Sequence, residues 1–120
     1  MGYHISDSEY RFMEILWEEE PVSSMELVRL CSNRLNWKKS TTYTVIRNLS
    51  EKQIVYSENA IVRTRVSRGC IQRQESSCFL NRKFGGSLPS FIAAYLQDRK
   101  LTREEAERLQ KLIWDAAEDK

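Results

Sequence analysis

The sequence predicts a mostly α-helical chain with a small β-hairpin wing: an N-terminal winged helix-turn-helix, then a C-terminal module of three helices. Three observations carry this expectation. Hydroxyl residues that can start a helix recur at Ser6, Ser23, Ser87 and Thr102. β-Branched runs flank Asn59-Ala60, a strand-turn-strand pattern. The stretch Leu27 to Ser50 has no acidic residue but carries Arg29, Arg34, Lys38, Lys39 and Arg47, in a chain whose 19 bases and 17 acids nearly balance.

Ser6 opens the first helix, with Glu9 three residues on completing a capping box and Ile5 placed to staple onto Tyr10. Met13, Leu16 and Trp17, with Phe12 beside them, form its inward side. It ends before Pro21, after the acidic run Glu18 to Glu20. Ser23 and Glu26 repeat the box and open a short helix through Leu27, Val28, Leu30 and Cys31. A loop is expected over Asn33 to Trp37. The third helix should start near Ser40 or Thr41 and reach about Lys52, with Val45, Ile46 and Leu49 inward. Thr41, Tyr43, Thr44, Arg47 and Asn48 are left as a polar face, the arrangement of a recognition helix. The runs Gln53 to Glu58 and Ile61 to Val66 form the wing, with Arg63 and Arg65 on one strand face.

From about Arg68 the strand pattern ceases, so residues 1–68 are read as the winged helix and 69–120 as the helical domain. One helix is expected over Gln72 to Phe84, ended by Gly85-Gly86. Ser87 caps the next, with Pro89 in its first turn and Phe91, Ile92, Tyr95 and Leu96 on its apolar side. Thr102 and Glu105 box the last, which carries Leu109, Leu112 and Ile113, with Trp114 nearby. Three short helices cannot bury all these side chains among themselves. They either pair with a second copy or fold back on the winged helix; pairing is the simpler repair. Phe79, Leu80, Phe84, Phe91, Ile92, Tyr95, Leu96, Leu109 and Leu112 are the candidate dimerisation residues.

Composition narrows the function further. No apolar run approaches the roughly 20 residues of a membrane span, and Met1-Gly2-Tyr3-His4 has no signal core, so a cytoplasmic protein without membrane partners is expected. Catalysis fits poorly: the single histidine, His4, is near the terminus, and no nucleophile stands beside a base. The three cysteines, Cys31, Cys70 and Cys78, lack Cys-x-x-Cys spacing, so neither metal nor cofactor is expected. Cys31 reads as core, while Cys70 and Cys78 leave a thiol sensor open.

The chain resembles the penicillinase-repressor (BlaI/MecI/CopY) family of bacterial winged-helix repressors over nearly its full length. The resemblance rests on Ile5 to Glu9 leading into Met13 to Trp17, on Trp37-Lys38-Lys39-Ser40-Thr41-Thr42-Tyr43-Thr44, on Glu75-Ser76 through Phe79-Leu80 to Phe84 to Leu88, and on Lys100-Leu101-Thr102 to Leu112. It implies a homodimeric repressor of double-stranded DNA, with Thr41, Tyr43, Thr44 and Arg47 on the recognition helix. The family's next basic position is Asn48 here, and its glycine before the wing is Gln53. Near the place where β-lactam-responsive members are cleaved at an Asn-Phe bond, this chain has Ala94-Tyr95; the copper-responsive Cys-x-Cys pairs have no counterpart. Lys38, Lys39, Ser40, Thr41, Tyr43, Thr44, Arg47, Asn48, Arg63 and Arg65 are the candidate DNA-binding residues. The rival expectation is a winged-helix module that binds protein and has lost DNA reading.

Overall fold

The computed structural model of the protein describes residues 4–117. Met1 to Tyr3, most of the segment read above as lacking a signal core, lie outside the described residues. The elements in chain order are α1 (Asp7–Glu19), β1 (Val22–Ser23), α2 (Ser24–Leu35), α3 (Lys39–Glu51), β2 (Val55–Glu58), β3 (Ile61–Thr64), α4 (Arg68–Phe84), α5 (Leu88–Leu96) and α6 (Arg103–Ala116). The chain forms two compact units, the first running to Ser76 and the second from Ser77. The first unit takes in the start of α4, whose Ile71 is buried in its core.

Helices α1 to α3 and the strands build a winged helix. The capping box of α1 is complete: the Glu9 N–H donates to Ser6 Oγ at 3.1 Å, and the Ser6 N–H donates to Glu9 Oε1 at 2.9 Å. Phe12, Met13, Ile15 and Leu16 of α1 are buried. Trp17, expected inward, packs half-buried against the core, with its indole N–H donating to the Val66 carbonyl at 2.9 Å. Ile15 takes an inward place that the sequence reading had not given it.

Two expected boundaries move. Helix α2 continues through Leu35 and ends at Asn36, whose φ of 59° is left-handed, so the link to α3 is shorter than the loop expected over Asn33 to Trp37. Helix α3 starts at Lys39, a residue early. Its inward face is Val45, Ile46 and Leu49, as the spacing predicts, joined by Thr42, which is fully buried.

The wing is part of a three-stranded antiparallel sheet of order β1-β3-β2, rather than a bare hairpin. Val22 pairs with Val62 and Ser23 with Ile61, so two residues that follow Pro21 complete a sheet edge. Asn59 and Ala60 at the turn both have positive φ, 52° and 64°, as a two-residue turn matched to strand twist requires. The Thr64 N–H donates to Glu20 Oε1 at 3.0 Å, tying the wing to the end of α1.

The second unit contains the C-terminal part of α4, α5 and α6. Helix α4 begins at Arg68, four residues before the expected Gln72, because Ser67 Oγ accepts the Cys70 N–H and caps it. Gly85 and Gly86 end it with φ of 57° and 80°. Ser87 caps α5, and Thr102 and Glu105 form the complete box that starts α6. Among the described residues no helix is long and apolar enough to cross a membrane.

Lys52, following α3, donates from Nζ to Glu9 Oε1 at 2.8 Å and to the His4 carbonyl at 2.7 Å. Burial pushes the Glu9 carboxyl up, but the Lys52 ammonium and the Ser6 hydrogen bonds outweigh it and hold it below the usual glutamate range. A depressed carboxyl stabilises the fold fully above its unfolded value, about 4.3, and loses that contribution as pH falls through the folded value. Lys52→Met should therefore cost roughly 1–3 kcal/mol in urea unfolding at neutral pH. It should also flatten the fall in stability between about pH 5 and about pH 3. Gln53 has a φ of 65°, a conformation that disfavours any side chain with a Cβ. Gln53→Gly should raise the stability of the first unit by about 1 kcal/mol, read as a higher unfolding midpoint.

Candidate nucleic-acid interface

Packing of Thr42, Val45, Ile46 and Leu49 against the core fixes the rotation of α3. At about 100° per residue, Ser40, Thr44 and Arg47 then lie along the line opposite the buried face. All three are exposed. Tyr43 and Lys39 form one flank of this row, with Lys39 Nζ 6.0 Å from the Tyr43 ring centroid. Thr41 and the half-buried Asn48 form the other flank. The row ends at Glu51, an exposed carboxylate that bounds the acid-free surface.

The start of α3 differs from every other helix start among the described residues. Ser6, Ser23, Ser67, Ser87 and Thr102 each accept a first-turn N–H through a side-chain oxygen. Lys38, the N-cap of α3, makes no such bond. Free N–H groups, the positive end of the helix dipole and two ammonium groups therefore coincide there, the composition of a phosphate site.

Of the five bases in the acid-free stretch, the structure removes two from that surface. Arg34 is held by two carboxylates, donating to Glu18 Oε1 at 2.8 Å and to Glu19 Oε2 at 2.9 Å. Arg29 engages the Glu26 carboxylate one turn earlier on α2. This also corrects the expected second capping box: Ser23 caps α2, but Glu26 turns to Arg29 instead of returning to Ser23. Lys38, Lys39 and Arg47 form no ion pair with any described residue.

On the wing, Arg63 and Arg65 are both exposed. Their surroundings differ. Arg63 sits on β3 opposite Tyr56, whereas the Arg65 guanidinium lies 4.5 Å from the Tyr56 ring centroid, a cation–π contact that fixes it along the strand surface. Arg63 is the freer of the two.

The second unit gathers the remaining candidates. Phe79, Phe84, Phe91 and Tyr95 form a chain of ring contacts with centroids 5.3 to 6.2 Å apart. Phe91, Ile92, Tyr95, Leu96, Leu101 and Leu109 line an open apolar groove. Leu80 is half-buried on α4, and Leu112 is 64% exposed on α6. No residue of α5 or α6 is buried. Trp114, expected only to lie near the apolar side, is 75% exposed.

The profile of the Penicillinase repressor family matches residues 5–115. The chain belongs to this family. It is 27% identical over 115 residues to the penicillinase repressor of Staphylococcus aureus, covering 92% of this chain and 91% of the relative. It is 24% identical over 115 residues to the methicillin resistance regulatory protein MecI of S. aureus strain Mu50, covering 92% and 94%. The penicillinase repressor of Bacillus licheniformis is 24% identical over 119 residues, covering 91% and 88%. The family match thus takes in most of both units.

Sequence reasoning passed over Met25, the second residue of α2, which is exposed and borders Lys39 and Tyr43. The signal was present: a large apolar residue in a first turn whose inward positions are already taken by Leu27, Leu30 and Cys31.

Beneath the candidate interface lies Cys31, fully buried. Burial pushes its thiol up, only partly offset by the Thr42 hydroxyl beside it and by the charge of Arg34. Cys70 and Cys78 are both partly exposed on α4. An aromatic disulfide reagent should therefore titrate Cys70 and Cys78 in the native protein, with Cys31 released only on unfolding, as counted by absorbance in the two states.

Proposed function

We propose that this protein is a transcriptional repressor that binds a pseudo-palindromic DNA operator as a homodimer and is released by an inducing signal. The observation that carries the reading is the start of α3. An uncapped helix N-terminus, Lys38 and Lys39 meet there, beside the exposed row Ser40, Thr44 and Arg47, on a surface whose nearby bases have no carboxylate partner. A recognition helix needs this combination: backbone groups and cations to hold phosphate, and hydroxyl, aromatic and guanidinium groups to read base edges.

In this reading Lys38, Lys39, Ser40 and Thr41 hold the phosphate backbone at the helix start. Thr44 and Tyr43 meet base edges, Arg47 reads guanine or grips phosphate, and Asn48 lies at the groove margin. Arg63 reaches from the wing towards the adjacent groove, while Arg65 braces the wing through Tyr56. With a net charge of +2, attraction to DNA arises from this patch rather than from the molecule as a whole.

Residues 69–120 act as the dimerisation domain. The open groove lined by Phe91, Ile92, Tyr95, Leu96, Leu101 and Leu109, together with exposed Leu112, supplies apolar surface that a second copy would cover. A two-fold dimer presents two recognition helices to half-sites about one DNA turn, or a multiple of it, apart. The inducer is not carried over from the family, since Ala94-Tyr95 stands near the place of the Asn-Phe bond and no Cys-x-Cys pair is present.

Selection of random duplexes by the purified protein, followed by titration of the enriched pool at two salt concentrations, tests this reading. An enriched two-fold motif with strongly salt-dependent binding is expected. Absence of enrichment with feeble binding would replace it with a protein-interaction module. Against the selected operator, Lys38→Ala or Lys39→Ala should weaken binding to all sequences and lower the salt slope by about 1. Arg34→Ala, whose charge is already engaged, should leave that slope unchanged. Thr44→Ala should cost roughly 1–3 kcal/mol and relax preference at one position in each half-site.

A further inference from the structure

Between α2 and α3 lies an open cleft of about 100 Å³, lined by Met25, Val28, Lys39 and Tyr43. Met25 is 77% exposed, the highest value among the large apolar side chains of the described residues. A single exposed apolar side chain needs no explanation. The setting of this one does. Lys39 and Tyr43 are four residues apart on the flank of α3 that faces Met25, and they adjoin the outward row Ser40, Thr44 and Arg47. The cleft therefore has apolar walls from Met25 and Val28, an aromatic edge from Tyr43, and a cation at its rim.

This pairing of apolar wall and cationic rim matches one feature of the major groove. A thymine presents its C5-methyl group there, close to the phosphates of its own strand. A methyl group seated against Met25 and Tyr43 would leave the Lys39 ammonium towards those phosphates. The core has no use for Met25, since Leu27, Leu30 and Cys31 already supply the buried face of α2.

We propose that Met25 and Tyr43 together form a contact for the C5-methyl group of a pyrimidine, which makes Met25 a specificity-determining residue outside the recognition helix. The proposal rests on the repressor reading above and adds to it the chemical group that is recognised. Thymine and 5-methylcytosine carry that group; uracil and cytosine lack it. Removing one buried carbon group should weaken binding about fourfold per half-site.

The experiment uses the full chain and its selected operator, with thymines replaced one symmetric pair at a time by deoxyuridine and affinity read by fluorescence anisotropy. For the unaltered protein, one pair should show the methyl-dependent loss. Met25→Ala should bind the thymine operator more weakly and show little or no further loss with deoxyuridine, whereas Met25→Leu should restore the dependence. If no thymine pair is sensitive, or if the sensitive pair stays equally sensitive in Met25→Ala, the methyl contact is overturned while operator binding stands. If the unaltered protein shows no sequence preference at all, the repressor reading falls and the contact with it. Met25 is exposed, so its replacement leaves the core intact, and circular dichroism of each variant verifies this.

Discussion

The burial of one face of α3 is the constraint on which the rest depends. Val45, Ile46 and Leu49 are held among side chains from α1 and α2, with Thr42 fully enclosed beside them. Because side chains on a helix are fixed in angle to one another, sealing these four leaves no choice about the others. Ser40, Thr44 and Arg47 must then face outward, with Lys39 and Tyr43 turned towards Met25 and α2. A rotation of α3 by one residue would bury Arg47 in one direction, or Thr41, Thr44 and Asn48 in the other, and that cost keeps the surface in register.

Charge is distributed around this helix by pairing as much as by sequence. Arg29 and Arg34 satisfy carboxylates of α1 and α2, and Lys52 closes the far end of α3 onto Glu9. Exposed ion pairs of the first kind contribute little to stability. Their consequence is electrostatic: they neutralise acidic groups near the proposed interface and leave Lys38, Lys39 and Arg47 as uncompensated cations. The wing is braced in a similar way. Glu20 receives the Thr64 N–H, the Trp17 indole donates to Val66, and Arg65 lies over Tyr56.

The second unit has the opposite character. Its aromatic side chains touch one another, yet α5 and α6 bury none of their residues, and Leu112, Ile113 and Trp114 remain in the open. A helical unit of this size reaches a stable balance only when such surface is covered. The proposed second copy would cover it and would give DNA recognition its two-fold axis. Family membership spans both units, so the winged helix and the helical unit travel together in this lineage.

Much of this was legible in the amino-acid order, because helix caps and hydrophobic periodicity are local. Ser6 with Glu9 and Thr102 with Glu105 form the boxes that their spacing predicts; Val45, Ile46 and Leu49 face inward; and the wing turns at Asn59-Ala60. What required tertiary structure was every feature that joins distant residues. The strand Val22–Ser23 exists only because Val62 and Ile61 lie beside it, and two residues carry no strand period of their own. The same holds for Trp17, packed half-buried against the core with its indole N–H on the Val66 carbonyl, and for Arg34, withdrawn by Glu18 and Glu19. Met25 looked like one more apolar residue at a helix start until α3 brought Tyr43 and Lys39 to its side. The sequence by itself determined which segments become helices and which of their sides are apolar, since both follow from short-range sterics and spacing. Only the tertiary structure decided which charges and apolar groups remain available to a partner, because availability depends on neighbours that the chain supplies from far away.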